Sequence, residues 1–238
     1  MMKLEELATQ LQAAYGDTLR AVVLYGSAVA GEHIKRQSDF NVLVILEHFP
    51  LDRVREVAAV TRIWRAQGNP PPLIFTEHEW RTSADVFPME YADILERHHV
   101  LVGTLPTDGI VVDPRDLRLQ AEHEALGVVF RLRQGILVAG GNAADQIKLM
   151  GASLSTVMVV MRAVLRLHGA APPQNYAEVA RDTSEQAGFD PQPVYDVVHQ
   201  VRGDRVIPKD RIGTVLAGYL RAVEVVAAHI DAFSQTRT

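Results

Sequence analysis

The feature that most constrains the fold is a change in hydrophobic periodicity about halfway along the 238-residue chain. Up to about residue 104, short apolar runs alternate with stretches of helical spacing, which indicates strands and helices of one α+β sheet domain. From about Pro114 onward the spacing is helical throughout, and Gly-rich connections separate the helices. This pattern is typical of a helical bundle. We therefore predict an α/β sheet domain over residues 1–110 and an all-α helical bundle domain over residues 111–238.

Four strands and eight helices follow from the same periodicities. The run 40–46 is almost continuously apolar, which is typical of a strand buried on both faces. The predicted strands are 20–25, 40–46, 73–76 and 99–102. The predicted helices are 4–15, 51–67 and 90–97 in the first domain, and 116–139, 143–168, 176–187, 193–202 and 209–233 in the second.

Composition excludes several classes of function. The chain has no cysteine, so disulfides, thiolate nucleophiles and Cys-ligated zinc are ruled out. A net charge of -5 disfavours broad nucleic-acid binding. The N-terminal helical pattern carries two glutamates and does not match a secretory signal. The longest uncharged stretch, 149–161, is thirteen residues, whereas a membrane span needs about 20. We expect a cytoplasmic protein with no membrane partner.

The two apolar runs 20–25 and 40–46 enclose the polar residues that carry chemistry. Gly26 would let the backbone approach a ligand closely, and Ser27 would add a hydroxyl at a helix N-terminus, where N–H groups favour a phosphate. Ser38 and Asp39 lie where the second strand begins. Positions 39 and 41 are two apart on a strand and so project from the same face.

Oxygen ligands on that face suit Mg²⁺, which is a hard cation. Asp39 supplies a carboxylate there, whereas position 41 holds an amide, Asn41. Lys35 and Arg36, in the loop just before Asp39, could contact triphosphate oxygens.

The Gly-Ser to Ser-Asp element resembles the nucleotidyltransferase superfamily, which includes DNA polymerase beta-like and aminoglycoside nucleotidyltransferase-like proteins. The resemblance covers about the first hundred residues and extends loosely to a helical second domain. It implies transfer of a nucleoside monophosphate from an NTP to a hydroxyl, with Mg²⁺ as cofactor. It also implies that Gly26, Ser27 and the loop residues contact the nucleotide, and that Asp39 and Asn41 are catalytic and hold the metal.

The sequence departs from the family pattern in two places. Asn41 stands where the family has a second aspartate, so the site loses one negative charge. The third acid, which the family carries on a neighbouring strand, is not obvious. Glu77, just beyond the strand 73–76, is the best candidate for a metal ligand, and Glu47 is the second. A one-metal enzyme, an altered reaction and a nucleotide-binding protein without transfer activity all agree with these departures.

Three functional hypotheses therefore remain open. The first is an active nucleotidyltransferase whose acceptor is an antibiotic, a protein side chain, an RNA end or a small metabolite. The second is a catalytically inactive protein of the same fold that binds nucleotides or regulates a partner. The third is an antitoxin-like protein with the bundle as its interface. An apolar bundle helix could also form a homodimer face.

Overall fold

The computed structural model describes residues 2–29 and 40–233. The chain divides into two compact units, Met1–Val112 and Asp113–Thr238. The first unit is a sheet covered by helices, and the second is helical.

The described part of the first unit contains a mixed four-stranded sheet in the order β3-β2-β1-β4. β1 pairs antiparallel with both β2 and β4, and β2 pairs parallel with β3. Each strand lies within one residue of its predicted bounds. The strands are β1 Leu19–Tyr25, β2 Asn41–Leu46, β3 Leu73–Thr76 and β4 His98–Gly103.

Helices cover both faces of this sheet. Helices α1 (Leu4–Tyr15) and α2 (Val54–Arg65) contribute buried apolar residues to one face, and α3 (Glu77–Thr82) and α4 (Pro88–Glu96) contribute to the other. Alternation along the strands explains the two cores, because successive side chains point to opposite faces. The first core is built on Leu7, Leu11, Val22, Val44 and Trp64, and the second on Val23, Leu43, Ile45, Trp80 and Tyr91.

Helix α3 was not predicted from the periodicity. The reason it forms is a capping box: the Thr76 hydroxyl accepts from the Glu79 N–H at 3.2 Å, and the Glu79 carboxylate accepts from the Thr76 N–H at 2.8 Å. The Thr76 backbone N–H, followed by its hydroxyl, holds the pKa of Glu79 below its usual value. The strand therefore ends at Thr76, and Glu77 begins a helix rather than extending β3.

The second unit is a bundle of helices, as predicted. Side chains of Asp113, Asn142 and Asn175 accept hydrogen bonds from the first N–H groups of three of them, which fixes where those helices begin. Two of the helices end at left-handed glycines, Gly188 and Gly203. The helices are α5 Pro114–Ala139, α6 Ala143–Leu167, α7 Tyr176–Ala187, α8 Gln192–Arg202 and α9 Ile212–Phe233.

Two segments of the bundle, Ala143–Leu167 and Lys209–Phe233, are long and apolar enough to cross a membrane by length and composition alone. About half of each apolar window, 50% and 44%, is buried inside the protein. Core helices of a bundle have this same composition because they bury apolar residues against several neighbours.

Candidate functional site

Gly26 and Asn41 form a corner at one end of the sheet. The register pairs Tyr25 with Asn41, so Gly26 follows β1 directly beside the first residue of β2. Gly26 has φ +79°, and a Cβ added there would lie 2.9 Å from Nδ2 of Asn41. Only glycine tolerates both the backbone conformation and the close amide. We call Gly26 and Asn41 the Gly26 corner.

The chain turns immediately after Gly26. Residues Gly26–Ala28 form a 3-10 turn, and the Val29 N–H donates to the Gly26 carbonyl at 3.1 Å. The sequence predicted a short helix starting here. The residues that would continue this helix, 30–39, lie outside the described part of the chain. Backbone N–H groups of the turn are what this corner can offer to an anion.

Three side chains from adjacent strands lie in one row beside the corner. Tyr25 is paired with Asn41 on one side and with His98 on the other, so all three side chains project from the same face. Burial, and then the nearby Glu90 carboxylate, raise the pKa of Tyr25 to about 12. The tyrosine is therefore neutral at physiological pH and can act only as a hydroxyl donor or acceptor.

His98 is held in one tautomer by helix α4. Its Nδ1 lies 2.7 Å from the Ile94 carbonyl oxygen, which can only accept. Nδ1 therefore carries the proton, and Nε2 of the neutral ring is left as an acceptor. His99, the next residue, is exposed, whereas His98 is half-buried. The difference follows from strand geometry, because successive side chains point to opposite faces.

The start of β2 is fixed by a contact from the loop before β3. The Phe40 N–H donates to Oδ1 of Asn69 at 3.2 Å, and the Phe40 ring packs against Trp64 with 6.0 Å between centroids. Both contacts act on the residue that follows Asp39 in the sequence. Asn69 is therefore a positioning residue for this end of β2, which the sequence analysis did not identify.

The two candidates for the third acid lie at the opposite end of the sheet. Arg20 forms an ion pair with Glu47, and its Nε lies 3.8 Å from Glu77. Arg81 contacts Glu77 at 3.1 Å.

The parallel register explains this position. It pairs Leu46 with Thr76, so Glu77 lies near the C-terminal end of β2. Asn41 begins the same strand, about 16 Å away at 3.3 Å per residue. The structure thus does not bring Glu77 or Glu47 to Asn41, and we leave Glu77 out of the proposed metal site.

The remaining predicted site residues lie outside the described part of the chain: Lys35, Arg36, Ser38, Asp39 and the side chain of Ser27. Within residues 2–29 and 40–233, no group of three His, Asp or Glu side chains could hold a metal ion.

Of the predicted metal ligands, Asn41 is the one that the described residues place at the corner. Its side-chain oxygen is neutral, so it brings no charge to a cation there.

Comparisons with known proteins place the fold. A scan against protein-family models finds no match, and no curated protein sequence matches. Among solved structures, the chain is similar to the spectinomycin adenyltransferase AAD(9) from Enterococcus faecialis, crystallised with ATP and spectinomycin. The match has a TM-score of 0.58 at 9% identity, and it covers 93% of this chain and 100% of that chain. The chain therefore has the fold of an aminoglycoside nucleotidyltransferase, a mixed four-stranded sheet with helices followed by a helical region, and the predicted fold class is confirmed.

Proposed function

We propose that the protein binds the phosphates of a nucleoside triphosphate at the Gly26 corner and transfers the nucleoside monophosphate to a hydroxyl acceptor. The observation that carries the proposal is the corner itself: a positive-φ glycine ends β1 with the Asn41 amide against it. It occurs on a fold whose solved relative AAD(9) holds ATP. A cytoplasmic location, where NTPs are made and used, is part of the proposal.

The orientation of Asn41 supports a role in phosphate binding. Its amide nitrogen, Nδ2, is the atom nearest to the position that a Cβ would take at Gly26, at 2.9 Å. An amide N–H₂ donates hydrogen bonds, whereas an ionised aspartate at this position could only accept them. In the proposal Asn41 donates to a phosphate oxygen that rests on the Gly26 backbone. The amide N–H₂ would thus add a direct phosphate contact that an aspartate could not make.

The metal in this proposal is a single Mg²⁺. Asp39 and the Asn41 oxygen would hold it, and when bound it supplies positive charge that neutralises the triphosphate. Ser27, Ser38, Lys35 and Arg36 are proposed as further nucleotide contacts, on the strength of the sequence.

The proposed reaction is a nucleotidyl transfer. The acceptor oxygen attacks the α-phosphorus, so that a new P–O bond forms while the bond to the β-phosphate oxygen breaks. Pyrophosphate leaves with the bonding electrons, and the hydroxyl proton passes to solvent or a base. The structure of AAD(9) contains spectinomycin. For this chain the proposed acceptor class is a hydroxyl compound, with aminocyclitols the first group to screen.

Release of pyrophosphate tests the activity. The purified chain would be incubated with each NTP, Mg²⁺ and a panel of hydroxyl acceptors, and Asp39→Ala would be run in parallel. We expect acceptor-dependent pyrophosphate that the variant lacks. Folded protein that releases none with any donor and acceptor would contradict the transferase proposal.

A second candidate function is a nucleotide-binding module without transfer activity. It is favoured by the amide at position 41 and by the distance of Glu77 from the corner. Asn41→Asp separates the two candidates. In a transferase with a depleted centre, the added carboxylate should strengthen Mg²⁺ dependence and raise turnover. In a binding module it should only weaken nucleotide binding, because the amide N–H that donates a hydrogen bond to the phosphate is lost.

A further inference from the structure

Helix α5 carries an apolar stripe on its outer side. One face of the helix is buried in the bundle through residues such as Ala121, Ala125, Val128 and Leu132. The outer face exposes four large apolar side chains, with exposed fractions between 41% and 84%. Val138, at 89%, is also exposed but lies about 100° around the helix from them. The outer stripe consists of Leu119, Leu126, Phe130 and Leu137.

The spacing of the outer stripe is that of a coiled-coil seam. When the exposed residues His123 and Arg133 are included, successive positions are separated by four, three, four, three and four residues. This is the a/d repeat with which one helix packs along another. The stripe therefore has the form of a contact surface, in contrast to scattered exposed apolar residues, which are common on any protein.

We propose that the outer stripe is the interface of a homodimer in which two α5 helices pack antiparallel across a twofold axis at position 128. The apolar residues are symmetric about that position: Leu126 and Phe130 lie two residues from it, and Leu119 and Leu137 lie nine. An antiparallel pair would thus place Leu126 against Phe130 of the second copy, and Leu119 against Leu137. Self-complementarity of this kind is what a twofold interface requires.

Charges beside the stripe are already paired within the bundle. Glu122 accepts from Arg118 at 2.7 Å, and Glu224 accepts from Arg133 at 2.7 Å. The symmetric arrangement places His123 opposite this neutralised arginine of the second copy. Two copies can therefore approach without an uncompensated like-charge pair, which would otherwise oppose association.

The area that the outer stripe could bury limits the affinity of the dimer. A helix of 26 residues is about 39 Å long and about 10 Å wide, so each copy would bury roughly 400 Å². The total is below the 1,200–2,000 Å² of standard interfaces, which indicates a weak and reversible dimer. We therefore expect the dimer to form only at high protein concentration.

Sedimentation of the full chain over a range of concentrations tests the dimer. We expect a monomer–dimer equilibrium that Phe130→Glu weakens by at least tenfold. Val206→Glu is the matched control, since Val206 is also exposed and in the second unit but outside the stripe. A chain that stays monomeric up to several hundred micromolar, or a dimer equally sensitive to both variants, would overturn the proposal.

Cross-linking tests the antiparallel register separately. The chain has no cysteine, so introduced thiols are the only ones present. In the proposed dimer, Leu119 lies about 27 Å along the helix axis from Leu119 of the second copy, but faces its Leu137. Leu119→Cys and Leu137→Cys should therefore form a disulfide when mixed and none when either is oxidised alone. Efficient cross-linking of Leu119→Cys alone would show a parallel arrangement and contradict the proposed symmetry.

Discussion

At the scale of single residues, the site depends on how one glycine and one amide fit together. Gly26 adopts φ +79°, and Asn41 occupies the space that a side chain at Gly26 would need. Replacing the glycine would therefore destabilise the folded protein in two separate ways. The first is backbone strain, and the second is a steric conflict that arises only because Asn41 is opposite.

Gly26→Ala should lower the free energy of unfolding and weaken nucleotide binding. Gly109→Ala is a matched control, because Gly109 has φ +77° but no atom within 4 Å of an added Cβ. Strain alone costs about 1–2 kcal/mol, so both variants should lose that much. We expect Gly26→Ala to lose at least about 1 kcal/mol more, since its Cβ meets the amide.

Chemical denaturation of the two variants measures this difference. In an Asn41→Ala background the extra loss should largely disappear, because the two residues are in contact and their effects are coupled. Equal losses in Gly26→Ala and Gly109→Ala would show that the Asn41 contact is unimportant.

At the scale of secondary-structure elements, the direction of β3 decides which carboxylates belong to the site. Since β3 runs parallel to β2, its C-terminal end lies beside Leu46, and Glu77 pairs with arginines there. Asn41 lies at the other end of β2. Among the described residues, the Glu90 carboxylate on α4 acts at this end, where it helps to raise the pKa of Tyr25.

Glu77→Gln should therefore leave nucleotide binding and its Mg²⁺ dependence unchanged. The substitution removes partly exposed ion pairs with Arg20 and Arg81, which typically contribute at most about 1 kcal/mol of stability. Binding measured by calorimetry with and without Mg²⁺ checks this expectation. A loss of Mg²⁺-dependent binding in a folded Glu77→Gln variant would restore Glu77 as a metal-site residue.

Two histidines of the bundle form a contact that should respond to pH. Nε2 of His168, which directly follows α6, lies 2.9 Å from Nε2 of His229 on α9. The ring centroids are 5.2 Å apart at an interplanar angle of 25°, so the rings meet end to end rather than face to face. One ring donates and the other accepts. Burial, and then the charge of His168, lower the pKa of His229.

The sign of the pH effect follows from that shift. Because the pKa of His229 in the folded protein is below the ordinary value of 6.5, the unfolded chain binds more protons. The stabilisation is fully present above pH 6.5 and is lost as the pH falls toward the lowered pKa. Unfolding measured between pH 7.5 and 5 should show a smaller decrease in His229→Gln than in the parent chain. His99→Gln, at an exposed histidine, should behave like the parent; identical profiles for all three would contradict the assignment.

The sequence predicts where helices and strands lie along the chain better than it predicts which of them pack together. The apolar run predicts strand 73–76, but no local sequence feature shows that this strand runs parallel to β2. The sequence therefore does not show at which end of the sheet Glu77 lies. The capping box of Thr76 and Glu79 can be recognised as a sequence pattern, and it predicts that β3 ends before Glu77. Asn69 could not be found in this way, because its contact with Phe40 joins residues 29 positions apart.

At the scale of the whole molecule, the two units have the secondary structure that the hydrophobic periodicity predicted: a sheet with helices in the first and helices in the second. The chain covers all of the AAD(9) chain in its structural match, at an identity of 9%. A shared fold with so little shared sequence leaves the activity to be decided by the site. In this chain the proposed site is the Gly26 corner, which holds the Asn41 amide.

Calorimetric titration of the full chain with the four NTPs, with and without Mg²⁺, tests the central proposal most directly. Asp39→Ala and Glu77→Gln would be titrated in parallel. We expect at least one NTP to bind, Mg²⁺ to strengthen the binding, Asp39→Ala to abolish the Mg²⁺ effect, and Glu77→Gln to match the parent chain. Absence of binding by every NTP in both conditions would contradict a nucleotide site at the Gly26 corner.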